Sequence, residues 1–193
     1  MQKNIRLCSK VSYQLFPMRN NHKTQTRLHI HNVEHIEDNP DSLTVRHGTA
    51  TAQCFLDEQK ELYGDRKFRG LILPTPSVLF NDRPDLRKEM NDWMNQELYK
   101  APDCVGAIYV MPEDTVEDIE AMLTNPQIRG FKCYHQSAKT DGPTWLAEVW
   151  QYLPESAWQV ADARGMSITI HMVRPDALFR LHHHTLSACC MIF

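Results

Sequence analysis

Two histidines separated by one residue, His29 and His31, stand at the end of the short alternating segment Arg27-Leu-His-Ile-His31. In an extended chain, residues two apart leave the same face. Two imidazoles so placed can meet one divalent cation at about 2.0 to 2.1 Å each. A third histidine, His171, lies near the end of the apolar run Met166-Ser-Ile-Thr-Ile-His-Met172, where a polar group needs a partner. The competing reading is ordinary solvent-facing or core imidazole. Ten histidines produce chance pairs, and His182, His183 and His184 form a further cluster that can bind metal only adventitiously.

Other residues could contribute around such a centre. Lys132 lies within Ile128-Arg-Gly-Phe-Lys-Cys-Tyr-His135, where an ammonium could bind an anionic substrate or seal a strand end. His135 is three residues further on, so a regular strand puts it on the face opposite Lys132. It is read as a loop-end substrate contact or a surface histidine. Thr75 and Ser77 follow Arg69-Gly-Leu-Ile-Leu-Pro74 and could hydrogen-bond a substrate, although Thr-Pro-Ser is also ordinary turn chemistry. Arg174, three residues past His171, offers a bidentate fork to a substrate carboxylate, against the commoner surface arginine.

These residues fall at the ends of apolar, strand-length runs. The pattern predicts strands at Arg27–His31, Arg69–Pro74, Cys104–Met111, Ile128–His135 and Met166–Met172. Helices are expected between them. One is capped by Thr49 or Thr51 and stopped by Gly64, one is opened by Pro84, and one follows Pro112 with acids in its first turn. A helical region from Pro143 to about Ala163 is interrupted near Pro154 and closed by Gly165, and the residues from about His184 suggest the start of another helix. Strands alternating with helices imply an α/β fold with a parallel sheet. A doubly wound sheet normally shows a Gly-rich phosphate turn after its first strand, and none is present. About five strands in 193 residues is the pace of a (β/α) barrel.

Composition narrows the function class. The chain is 42% hydrophobic and 23% charged with a net charge of -3, which suits a small polar substrate and gives no basic excess for nucleic acid. No run of about 18 apolar residues suggests a membrane span. Six cysteines at irregular spacings, without CxxC pairs, read as reduced thiols, hence a cytoplasmic compartment. Residues 1 to 33 carry six Lys or Arg and no Asp or Glu. That composition leaves a mitochondrial presequence as a minor alternative to a plain irregular basic leader over 1 to 26, although Pro17 and the polar stretch from Asn20 to Thr26 interrupt a helix there.

Leu28-His-Ile-His31, Arg69-Gly-Leu-Ile-Leu-Pro-Thr-Pro76, Ile128-Arg-Gly-Phe-Lys-Cys-Tyr-His135 and Ile168-Thr-Ile-His-Met172 together resemble the amidohydrolase-related superfamily of metal-dependent TIM-barrel enzymes. The resemblance covers roughly residues 27 to 178. It implies that residues 27 to 193 form the N-terminal part of an incomplete TIM-type barrel. It also implies that His29, His31 and His171 bind a divalent metal, with zinc the first expectation. Other members carry a carboxylated lysine or a glutamate on the fourth strand, and Lys132 stands where that ligand could lie.

The implied activity is hydrolysis of a C–N or C–O bond by metal-activated water; relatives also include decarboxylases, in which the metal polarises the substrate. The resemblance puts a sixth-strand histidine and an eighth-strand aspartate, the general acid/base, beyond Phe193. The expectation is therefore a truncated chain of doubtful turnover. The alternative from a different class is a non-catalytic fragment that binds a partner or self-associates through an unclosed barrel edge.

Overall fold

The computed structural model describes residues 25–30, 51–66, 69–173 and 190–192, with the backbone alone for 25–30, 78 and 190–192. The strands are β1 (Gln25–Ile30), β2 (Arg69–Pro74), β3 (Val105–Tyr109), β4 (Ile128–Tyr134), β5 (Ser167–His171) and β6 (Cys190–Ile192). All neighbours are parallel, and the strand order follows the chain from β1 to β6. The expected basic leader, apart from its last two residues, lies outside the described residues. Where a helix was expected from about His184, the described backbone at Cys190–Ile192 instead extends the sheet, with Cys190 opposite Ile168 and Ile192 opposite Ile170. The apolar Cys-Met-Ile run meets backbone groups that β5 would otherwise leave without a ladder on that side.

Four helices join the strands: α1 (Ala52–Tyr63), α2 (Pro84–Tyr99), α3 (Val116–Met122) and α4 (Glu155–Arg164). Each has a local cause. The Thr51 side chain accepts from the Cys54 N–H at the start of α1, Pro84 occupies the first turn of α2, and Thr115 and Asp118 form a reciprocal capping box on α3. Gly165 closes α4 at φ 63°, a left-handed conformation that costs other residues a Cβ clash. The region before α4 contains two short 3-10 turns, Thr144–Leu146 and Val149–Gln151, in place of the first part of the expected helix.

One apolar cluster gathers Phe55 of α1, Leu98 of α2, Ile119 of α3 and Val160 of α4 against Ile72, Ile108, Phe131, Ile168 and Ile170 of the sheet. All four helices therefore cover the same face. A doubly wound sheet would carry helices on both faces, so this is a singly wound, curled half-barrel with its helices outside. The opposite, inner face receives alternate residues of the same strands, including Tyr109 and Tyr134, with Met111 just past β3. Gly130 belongs to that alternation, and a Cβ there would lie 2.5 Å from the Ser167 carbonyl oxygen. Only glycine lets β4 and β5 approach this closely.

The seam between β2 and β3 needs a side chain to complete it. The two strands pair at Leu71 with Val105 and Ile72 with Gly106, and the ladder stops there. Beyond it, the Asn91 amide of α2 donates to the Tyr109 carbonyl at 3.0 Å and accepts from the Tyr109 N–H at 2.8 Å. A fully buried amide thus supplies what a neighbouring strand would. Asn95 and Asn125 continue this polar seam, with Asn125 donating to the Asn95 carbonyl at 2.9 Å.

Two buried carboxylates hold the ends. Glu97 of α2 accepts from the Ala52 N–H at 2.8 Å, placing negative charge at the N-terminus of α1, and pairs with Lys100. Asp114 accepts from the Met111 N–H at 2.8 Å and pairs with Arg87 at 2.7 Å. Burial pushes the Asp114 carboxyl up, and Arg87 opposes that shift.

Replacing Asn91 by leucine keeps the branched shape and the number of side-chain heavy atoms but leaves the buried Tyr109 N–H and carbonyl unpaired. The expected loss is about 2 to 4 kcal/mol in urea denaturation. A loss below about 0.5 kcal/mol, within the range of ordinary surface substitutions, would show that Asn91 does not complete the seam.

Candidate functional site

The inner face follows from parity along each strand. On β4 the alternate positions are Gly130, Lys132 and Tyr134; on β5 they are Ser167, Thr169 and His171. Register puts Tyr109 beside Lys132, Lys132 beside Thr169 and Tyr134 beside His171. Polar groups thus accumulate toward the C-terminal ends of neighbouring strands. Lys132 is only 2% exposed, and its Nζ lies 4.4 Å from the centroid of the Tyr134 ring, a cation–π contact.

Rings organise this end of the sheet. Phe80 meets Tyr109 edge-on at 5.3 Å, Tyr109 stacks on Tyr134 at 5.3 Å with planes 20° apart, and Tyr134 lies 5.3 Å from His171. His135 ends the row, its centroid 5.6 Å from that of His171. The Tyr134 hydroxyl donates to the Pro74 carbonyl at 2.7 Å, tying β4 to the end of β2. The Tyr109 hydroxyl shares a 2.8 Å hydrogen bond with Ser137 just past β4. Burial pushes both phenols upward, so they remain neutral donors or acceptors.

The sequence-predicted residues fall into four groups. Lys132, His135 and His171 come together around the end of β4. Thr75 is half-buried just past β2, while Ser77 accepts from the Leu79 N–H at 3.2 Å, which is the turn role. His29 lies in β1 at the register position of Leu73, an inner-face position, with only its backbone described. His31, Arg174 and the cluster His182 to His184 lie outside the described residues.

His135 lies just past the point where the strand alternation stops. A regular strand would carry it away from Lys132, but β4 ends at Tyr134 and His135 begins a 3-10 turn through Ser137. The turn brings its ring to the His171 side of the sheet. Sequence reading also passed over Tyr109, Tyr134 and Thr169, because the strands looked continuously apolar. The available signal was the two-residue alternation that puts Lys132 with Tyr134, and Thr169 with His171, on one face.

Both imidazoles are biased toward neutrality. Burial pushes the His171 ring down to about 4, reinforced by the charge of Lys132 and by His135. Burial also lowers His135, partly opposed by the Thr144 backbone. A neutral imidazole retains a lone pair for a cation or a proton. Two buried polar atoms, Thr169 Oγ1 and His135 Nδ1, have no hydrogen-bond partner; such groups cost roughly 1 to 3 kcal/mol each and are filled by water or a ligand where space permits.

Among the described residues, no group of three or more His, Cys, Asp or Glu side chains is placed to share a metal ion. The described cysteines Cys54, Cys104 and Cys133 are free thiols. No helix among the described residues is long and apolar enough to cross a membrane. No family model, curated protein or solved structure matches the chain.

An unfolded imidazole titrates near 6.5, and the folded His171 near 4. Its depressed value contributes stability that is present above about pH 6.5 and is lost as pH falls toward about 4. In metal-free protein, the His171 ring resonances should titrate with a midpoint near 4. A midpoint near 6.5 would remove the argument for a ring held neutral by its surroundings.

Proposed function

We propose that this chain carries the N-terminal part of an amidohydrolase-like (β/α) barrel. In this reading it belongs to a metal-dependent hydrolase acting on a C–N or C–O bond of a small polar substrate. The observation that carries the proposal is the position of His171. Its neutral imidazole lies at the C-terminal end of β5, exposed on one side and backed by Tyr134, in a singly wound parallel sheet whose first strand contains His29 at an inner-face position. The C-terminal end is where a parallel barrel assembles its active site.

The donor set fits a divalent cation, with zinc the first choice for imidazole nitrogen. His29, His31 and His171 would hold it. When bound, such an ion supplies Lewis-acid polarisation and lowers the pKa of water.

The chain's own residues supply the surroundings. Lys132 holds a buried positive charge on the inner face, where it favours the neutral form of His171 and negative charge developing on a substrate oxygen. Tyr134, fixed by Pro74 and Tyr109, sets the plane against which His171 rests. Thr75 and Arg174 are the proposed substrate contacts beyond this centre. A decarboxylase would use the same histidines, because the ligands do not select between hydrolysis and polarisation of a carboxylated substrate. The cytoplasm is the proposed compartment.

Purified protein should contain about one zinc ion per chain by elemental analysis. His29→Ala, His31→Ala and His171→Ala should each lower that content without abolishing the folded circular dichroism spectrum. Unchanged stoichiometry in all three variants would exclude this metal centre. A wild-type protein that takes up no divalent metal would leave the partner-binding reading in its place.

A further inference from the structure

His135 has no assigned chemistry in the proposed centre, yet the fold brings it there. The chain leaves β4 after Tyr134, and the 3-10 turn His135–Ser137 directs the ring back toward β5. The His135 and His171 centroids are 5.6 Å apart with their planes 41° apart. Two imidazoles bound to one cation at about 2.0 to 2.1 Å place their ring centroids roughly 5 to 6 Å apart. The observed spacing therefore matches two rings sharing an ion.

The nitrogen inventory points the same way. His135 Nδ1 is buried and lacks a hydrogen-bond partner, while the Thr144 backbone bonds to the same ring. A buried nitrogen without a partner is costly unless something occupies its lone pair. Tyr134 also contacts His171, with ring centroids 5.3 Å apart.

We propose that His135 Nδ1 is a further ligand of the divalent cation held by His171. The proposal rests on the metal-centre reading of His171. It gives the loop after β4 a coordinating function instead of the substrate contact expected from sequence. It also predicts that the cation is bound between β4 and β5 as well as by the first strand.

Cobalt(II) titration of metal-free full-length protein tests the proposal, with affinity set by competition against a chelator. Wild-type protein should bind with visible ligand-field bands. His135→Ala and His135→Gln should each weaken binding by at least roughly 10- to 100-fold, the loss that removing an outer-shell partner alone causes, and change those bands. The metal-free thermal midpoint of the glutamine variant serves as the folding control. His135→Cys should introduce a thiolate-to-cobalt charge-transfer band absent from the wild-type spectrum.

Wild-type affinity and bands in the alanine and glutamine variants, with no new band in the cysteine variant, would overturn His135 as a ligand. If His171→Ala still abolished binding, the metal-centre reading would stand without it. Failure of the wild-type protein to bind cobalt or zinc would overturn both.

Discussion

A tyrosine buried in a sheet must find an acceptor for its hydroxyl, and Tyr134 finds one two strands away at the Pro74 carbonyl. To make that bond its ring passes over β3 and stacks on Tyr109. One face of the site is thereby fixed across β2, β3 and β4. Lys132 lies over the Tyr134 ring, and His171 leans on it from β5. Lys132 and His171 thus both rest on a single phenol with a constrained hydroxyl. Loss of that constraint would free His171 and the Lys132 ammonium together.

Behind this row, the outer face supports the arrangement by ordinary packing. The helices share one apolar cluster, so consecutive strands remain neighbours and their C-terminal ends meet on one rim. Asn91 is the exception to purely apolar support. It occupies the gap where β2 and β3 part and satisfies both backbone groups of Tyr109. A polar residue from the outer helix thereby fixes the backbone of an inner-face ring. Rim chemistry and helix packing are coupled through that residue, and neither can be altered alone at this point.

Charge is used sparingly at the rim. Lys132 is nearly inaccessible, and its field acts on a neighbouring imidazole that is already partly desolvated. The result is a neutral ring beside a positive charge, an arrangement that favours electron-pair donation over protonation. His135 and Thr169 add buried polar atoms without partners on the same side. The rim therefore has unspent hydrogen-bonding or ligating capacity beside a neutral imidazole, which motivates a site there.

The sequence by itself determined the α/β class, the alternation of strands and helices, and the position of most caps, because these depend on local periodicity, Gly and Pro placement and short-range hydrogen bonds. Thr51, Pro84 and Gly165 do what their types require within one turn. Its place near the end of an apolar run also made His171 a candidate before any fold was known. Only the tertiary structure decided which face each strand residue joined, since an apolar strand buried on both sides hides its parity. It decided that His135 meets His171, because the 3-10 turn interrupts the alternation on which the sequence argument relied. It also recruited Tyr109 and Tyr134, whose roles arise from contacts between strands that no local spacing encodes.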